Sequence, residues 1–263
     1  MLGEIGTYVI LGSVVGILAG LLGVGGGLII VPVLATLFIL QGVDSQIIMH
    51  LALGTSLASI LITSISSVIS HHKKHAVAWN QVYKLSLGII FGAWCGGIMA
   101  SQLSSAFLKP IFGVFELLVA AYMLYGKKPG EHQCRPSLLN FNISGSLIGF
   151  ISSIVGIGGG TMSVPWLLWH GNSIHKAIAT SAAIGFPIAL SGSISYLYTG
   201  WKHTSLPEYS IGFIYLPALL GIIVSSVVFA PIGATLAHQL DVQKLKKTFA
   251  YLLIVLAIYL LNS

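Results

Sequence analysis

The chain is dominated by long apolar runs separated by short polar stretches. No segments of about ten residues alternate between apolar and polar positions, as the strands of a membrane barrel do. The pattern therefore predicts an all-α polytopic membrane protein with roughly six to ten segments of the ~20 residues that cross a bilayer. The candidate segments cover residues 5–22, 48–70, 82–103, 106–125, 138–155, 176–199, 210–230 and 245–261.

Composition agrees with this pattern. Apolar residues make up 56% of the 263 positions and charged residues only 7%, which would leave a water-soluble domain covered in apolar surface. The formal net charge is +6, but the cations lie singly or in pairs between apolar runs, so nucleic acid is not an expected partner. The expected location is the cell membrane, and the expected partner besides lipid is a small solute.

A glycine-rich motif occurs twice. Gly23-Val-Gly-Gly-Gly27 precedes Pro32, and Gly156-Ile-Gly-Gly-Gly160 precedes Pro165. A second motif follows each copy, and its members are His50, Thr55 and Ser56 in the first half and His175, Thr180 and Ser181 in the second.

These matches divide the chain into two membrane repeats, 1–126 and 137–263. The polar stretch 127–136 between them is rich in turn residues and is predicted to be a linker. The two repeats are expected to form one transmembrane domain.

The positive charges favour an inverted second repeat. If each glycine-rich break is the tip of a hairpin, all but Lys109 and Lys202 of the twelve Lys and Arg residues lie on one face. Breaks inside single crossing helices would split the same cations almost evenly. The positive-inside rule therefore predicts a cytoplasmic linker and termini outside the cytoplasm. Leu28–Leu40 is short for a span, which favours re-entrant hairpins over spanning ones.

The glycine-rich breaks are the candidate binding site. A helix that starts inside a membrane presents unpaired N–H groups and the positive end of its dipole, which suits an anion. The alternative is that the glycines only allow helices to pack closely. Neither copy has the Lys-Ser/Thr ending of a nucleotide-binding loop. The predicted substrate-binding glycines are Gly25, Gly26, Gly27, Gly158, Gly159 and Gly160.

Hydroxyl side chains near the same breaks extend this site. Thr55, Ser56, Thr180 and Ser181 stand near helix starts and are predicted to bind substrate. Hydroxyls that continue along one face of the first helix could line an anion path or bond neighbouring helices. The members of that face are Thr55, Ser59, Thr63, Ser66 and Ser70.

The paired glycine hairpins, the repeated His-(x4)-Thr-Ser motif and the short basic linker resemble the TauE/SafE sulfite-exporter family of membrane permeases. The resemblance covers essentially the whole chain. It implies transport of a small anion such as sulfite, thiosulfate, a sulfonate or another organic anion.

Three ionisable residues are candidates for proton coupling or anion attraction. Glu116 lies in the middle of an apolar run, where an ionisable group is costly, and it could carry a coupling proton or be a packing residue. His50 and His175 could attract an anion or only cap their helices. His71, His72 and His75 are interpreted as a solvated basic cap, so no metal site is predicted.

The remaining patterns indicate structure. Gly88, Gly92 and Gly96 recur every four residues and predict a flat helix face for close packing. No HExxH, GxSxG or paired-carboxylate pattern supports a membrane enzyme, so neither catalytic residues nor a cofactor is predicted.

The prediction is a transporter that works by alternating access around a midplane site at the two glycine-rich breaks. An anion channel is the main alternative, and a membrane-embedded enzyme is the weaker one. A homo-oligomer is possible.

Overall fold

The computed structural model describes residues 2–22, 26–126, 137–236 and 242–262. Apart from one small strand hairpin and the connecting loops, these ranges are helical, which confirms the predicted all-α class. The predicted linker and Gly25 lie outside the described residues. The helices of the first half are α1 (Leu2–Leu22), α2 (Gly27–Leu40), α3 (Ile48–Lys73), α4 (Trp79–Gln102) and α5 (Ser105–Tyr125). Those of the second half are α6 (Leu138–Val155), α7 (Gly160–Trp169), α8 (Ile174–Gly200), α9 (Leu216–Leu236) and α10 (Val242–Asn262).

Six helices among the described residues are long and apolar enough to cross a membrane: α3, α4, α5, α6, α8 and most of α9. Their outward faces carry large apolar side chains such as Leu87 and Val224, which suits a lipid environment and not water. The chain is therefore a multi-pass membrane protein. By contrast, α2 and α7 have 14 and 10 residues, about 21 and 15 Å, which is too short for a crossing.

The short helix α2 folds back along α1. The amide nitrogen Nε2 of Gln41, at the end of α2, donates a 2.8 Å hydrogen bond to the hydroxyl of Tyr8 near the start of α1. Gly26, just before α2, lies beside Val15 in the later part of α1. The end of α2 therefore returns to the level at which α1 begins.

The first helix of each half packs on the fourth helix of the other half. A Cβ added at Gly88, Gly92 or Gly96 of α4 would meet the backbone of Asn142, Ser146 or Phe150 of α6. The predicted packing role of these three glycines is confirmed. Because successive residues of α4 contact successive residues of α6 in the same order, the two helices run parallel.

The packing of α1 on α9 repeats this arrangement with the halves exchanged. A Cβ at Gly12 would meet the backbone of Ile222, and one at Gly16 would meet that of Ser226. Further along the same pair, Gly233 approaches the backbone of Ile17. Each half therefore contributes one helix to each of two parallel pairs.

The two long helices α3 and α8 pack against each other in opposite directions. Gly54, near the start of α3, contacts Tyr196 near the end of α8. At the other end, the backbone N–H of Ala78, just after α3, bonds Thr180 near the start of α8. Because these helices occupy the same place in the two repeats, their antiparallel course bears on the orientation of the halves.

A short strand hairpin precedes α9. Strands β1 (Ser210–Ile211) and β2 (Ile214–Tyr215) pair antiparallel. The predicted membrane segment from residue 210 is therefore wrong at its start, because this part of the run forms the hairpin and α9 begins only at Leu216. Its turn requires Gly212, which has a φ of 56° that side chains rarely adopt.

Candidate functional site

The two glycine-rich breaks share one backbone geometry. Gly26 precedes α2 with φ 74° and ψ −15°, and Gly159 precedes α7 with φ 75° and ψ −10°. This left-handed conformation is costly for residues with a Cβ, which explains glycine at both places. Neither residue offers a side-chain cap, so the first N–H groups of α2 and α7 remain available as donors at the positive ends of two helices.

The two breaks meet each other. A Cβ added at Gly27 would lie 2.5 Å from the carbonyl oxygen of Gly156 and 2.9 Å from Cα of Ile157. The same atom would lie 3.1 Å from Cδ1 of Ile60, near the middle of α3. On the other side, the carbonyl of Gly158 lies beside Gly185, near the middle of α8. The tips, meaning residues 26–27 and 156–160, therefore meet between the midpoints of the two long helices.

The predicted threonines hold the two halves together. The backbone N–H of Tyr215 donates a 2.9 Å hydrogen bond to Oγ1 of Thr55. The N–H of Ala78 donates a 3.0 Å bond to Oγ1 of Thr180. Each threonine thus accepts from the residue immediately before the fourth helix of the opposite half. Both side chains are fully buried.

The predicted serines bond the tips. Oγ of Ser56 donates a 2.8 Å hydrogen bond to the carbonyl oxygen of Gly156 in the second tip. Oγ of Ser181 accepts a 2.9 Å bond from Oγ of Ser163, and Oγ of Ser163 also lies 2.8 Å from the carbonyl of Gly159. Both residues therefore lie at the breaks, as their sequence positions suggest, with protein groups as their present partners.

A small cavity reaches the second tip. Its volume of ≈ 20 Å³ has room for about one water molecule. Hydroxyl-bearing residues of α3 form one wall, and small residues form the others. The lining residues are Ala19, Gly20, Ile60, Thr63, Ser64, Ser67, Gly158, Ala182, Gly185 and Ala230.

Of the residues predicted to bind substrate that the structure describes, Gly158 alone lines this cavity. Thr63 belongs to the hydroxyl face recognised in the sequence, whereas Ser64 and Ser67 do not. Ser67 could have been recognised, because it stands four residues after Thr63 and therefore on the same face of the helix; Ser64 stands one residue after Thr63 and gave no such signal. Which part of that face borders open space depends on neighbouring helices and is not visible in a single sequence.

The opposite end of the α3–α8 pair is closed by the strand hairpin. The ring of Phe213 stacks on His50 with centroids 5.0 Å apart, and its carbonyl lies against Gly54. His50 is buried, and its Nε2 lies 3.0 Å from the carbonyl of Leu103. Its Nδ1 lies 3.3 Å from Oγ of Ser105. His50 is thus part of a packed seal.

His175, the repeat equivalent of His50, is exposed near the start of α8. Glu116 is fully buried in α5, and neither carboxyl oxygen has a hydrogen-bond partner among the described residues. Its repeat equivalent, Leu253, is also fully buried. The structure brings none of His50, His175 and Glu116 into the lining of the cavity.

In the described part of the chain, no group of three or more His, Cys, Asp or Glu residues is placed to hold a metal ion. The polar groups at the tips include the backbone groups of the glycines and the hydroxyls of Ser56, Ser163 and Ser181. Backbone N–H groups at a helix start and hydroxyl groups can donate hydrogen bonds to an anion.

Comparisons with known proteins show the family of the chain. The family model described as sulfite exporter TauE/SafE matches residues 8–260. A probable membrane transporter protein of Haemophilus influenzae is 39% identical, over 96% of this chain and 97% of its own length. A probable membrane transporter protein of Methanocaldococcus jannaschii is 28% identical, over 96% and 94%. No solved structure matches the chain.

Proposed function

Because the chain belongs to the sulfite exporter TauE/SafE family, whose relatives named above are probable membrane transporters, we propose that it transports a small anion by alternating access around the two tips. Candidate substrates are sulfite, thiosulfate, sulfonates and other small organic anions. The observation that carries the proposal is the meeting of two uncapped helix starts midway along α3 and α8, with a hydroxyl-lined cavity beside Gly158.

Alternating access requires two halves that can exchange roles. The antiparallel course of α3 and α8 supports an inverted second repeat, since parallel repeats would make these equivalent helices run the same way. The bond between Gln41 and Tyr8 supports a re-entrant first hairpin. With the linker in the cytoplasm, the cavity beside Gly158 faces the cytoplasm and the Phe213 seal faces outward.

The proposed chemistry is binding and release, with no covalent step. The N–H groups at the starts of α2 and α7 would bind substrate oxygens, assisted by hydroxyls at the tips. The predicted binding roles of the six glycines, Thr55, Ser56, Thr180 and Ser181 are part of this proposal. The protein is not proposed to be an enzyme.

The proposal is tested by anion flux into proteoliposomes containing the purified protein. The panel consists of sulfite, thiosulfate, sulfate, a small sulfonate and a small carboxylate. We expect saturable flux of at least one of these anions. Flux that never saturates would identify a channel, and no flux of any anion would contradict the proposal.

Substitution of the tip glycines tests the site itself. Gly26→Val and Gly159→Val should abolish flux, because each Cβ strains a left-handed residue and runs into Val15 or Ile188. Gly42→Val and Gly171→Val are the matched controls, since these residues have φ of 73° and 78° but open space around them. All four proteins should reach the membrane. Equal loss of flux in controls and tip variants would refute the tip model.

Coupling to protons is proposed at Glu116, a buried carboxyl group inside a membrane helix with no hydrogen-bond partner among the described residues. In the same vesicles, Glu116→Gln should remove the response of flux to an imposed pH gradient. If the variant responds as the wild type does, Glu116 has only a packing role.

A further inference from the structure

The cavity beside Gly158 has a counterpart at the other end of the tips. The two glycine motifs align Gly23 with Gly156, so the cavity residues Ala19 and Gly20 correspond to Ser152 and Ser153. The two His-(x4)-Thr-Ser motifs align α3 with α8 in the same way. They match the cavity residues Ser67 and Ala182 to Gly192 and Leu57.

The counterpart region is closed. A Cβ added at Gly192 would lie 2.8 Å from Cδ1 of Leu57 and 3.0 Å from Oγ of Ser153. These three residues are the equivalents of Ser67, Ala182 and Gly20, which border open space at the other end. Equivalent residues of the two repeats therefore border open space at one end of the tips and are packed together at the other end.

Ser152 and Ser153 are unusual among the buried serines. Both are fully buried, or nearly so, and neither hydroxyl has a hydrogen-bond partner among the described residues. Other buried serines have hydrogen-bond partners, as Ser59 has in the carbonyl of Thr55 and Ser225 has in that of Gly221. An unpartnered buried hydroxyl is costly, so a partner in another state of the protein would account for both.

The two hydroxyls flank the second tip. Ile148, one helical turn before Ser152, lies beside Gly159, so Ser152 stands on the α6 face that is turned toward the tip. Ser153 faces Gly97 of α4 and Gly192 of α8, where the absence of a side chain lets the neighbouring helices approach closely.

We propose that Ser152 and Ser153 line a second anion vestibule, which opens opposite the present cavity when that cavity closes. This inference rests on the anion transport proposed above. Thr63, Ser64 and Ser67 of α3 supply the hydroxyls of the present cavity. In the second vestibule α8 has Ile188, Ala189 and Gly192 at the matching positions, and the hydroxyls come from α6 instead. Each vestibule thereby keeps uncharged donors for the oxygens of an oxyanion.

The test is thiol labelling of proteoliposomes from each side with a membrane-impermeant maleimide. Cys95 and Cys134 are first replaced by serine, and single cysteines are then introduced as Ser67→Cys or Ser153→Cys. Ser67→Cys should react from one side only. Ser153→Cys should react from the opposite side while a transported anion is cycling, and the reaction should block flux.

Ser225→Cys is the matched control, because Ser225 is a buried serine whose hydroxyl is satisfied within α9, and it should not react. Labelling of Ser153→Cys from the same side as Ser67→Cys would overturn the inference. Failure to react from either side during measured flux would overturn it as well.

Alanine variants provide an independent measurement. Replacement of both Ser152 and Ser153 by alanine should lower flux severalfold, whereas Ser225→Ala should leave it unchanged; equal flux in both variants would contradict the inference. Wild-type flux separates the two proposals. If the wild type transports none of the panel anions, the proposed function fails; if it transports and Ser153→Cys stays unlabelled, only the second vestibule fails.

Discussion

In each half, the loop between the third and fourth helices donates a hydrogen bond to the opposite half, but the two loops differ in length and structure. Residues 74–78 form a short connection, and residues 201–215 form a long one that contains the strand hairpin. Each loop donates one backbone N–H to a threonine of the opposite half, through Ala78 or Tyr215. The short loop ends there, and the cavity lies at its end of the α3–α8 pair.

The long loop adds a seal. Phe213 fills the space above α3 and stacks on His50. The threonine bond is therefore common to both repeats, whereas the strand hairpin that helps to close one end occurs in one half only. The strand hairpin with Phe213, together with the packing of Leu57 and Ser153 against Gly192, therefore distinguishes the closed end from the open end.

Truncation of Phe213, which seals one end, should have the largest effect on stability. Phe213 is 4% exposed, and truncation of a buried aromatic residue costs about 3–5 kcal/mol. Phe213→Ala should therefore lower the melting temperature in detergent substantially. Tyr209→Ala changes an exposed aromatic residue of the same loop and should lower it little. Equal melting temperatures for the two variants would show that the hairpin does not seal this end.

Removing either of the two threonine hydrogen bonds should lower the free energy of unfolding by an intermediate amount that is similar at both ends of the α3–α8 pair. Thr55→Val and Thr180→Val each leave the backbone N–H of a half-buried residue without its acceptor, at a cost of about 1–3 kcal/mol. Chemical unfolding should give similar losses, additive within about 0.5 kcal/mol in the double variant, because the sites lie at opposite ends of the helix pair. Thr36→Val, whose hydroxyl bonds within its own helix, is the control. A much larger loss at one end would mean that the bonds are not equivalent.

Truncation in the open cavity should have the smallest effect on stability. Ser67 is half-buried at the cavity wall, so Ser67→Ala should change the free energy of unfolding by about 0.5 kcal/mol or less. Flux measured on the same preparation should fall if this hydroxyl solvates the anion. A stability loss like that of Phe213→Ala would show that the residue is packed in the core.

The sequence was most informative where local backbone geometry dictates the residue. The left-handed positions Gly26 and Gly159 require glycine, so the repetition of the glycine motif along the chain marks both breaks. The four-residue glycine spacing likewise predicted the flat face of α4. The length of α2 followed from the apolar run after the first break.

Features that depend on distant partners were not readable. The acceptor role of Thr55 toward Tyr215 arises only because α3 and α8 bring opposite halves together. The hairpin before α9 was hidden because Ile211, Phe213 and Ile214 are as apolar as a membrane segment. The second-half hydroxyls Ser152 and Ser153 replace Ala19 and Gly20, so similarity between the repeats pointed away from them.

The exchanged helix pairs also bear on how the protein is made. Because α1 packs on α9, α1 has no packing partner until α9 has been synthesised, roughly 10–40 s later at ordinary translation rates. Until then its small-residue face, with Gly12 and Gly16, is open to the bilayer or to other membrane proteins. The first half is therefore not a self-sufficient folding unit, and the two halves expressed as separate chains should accumulate only when they are produced together.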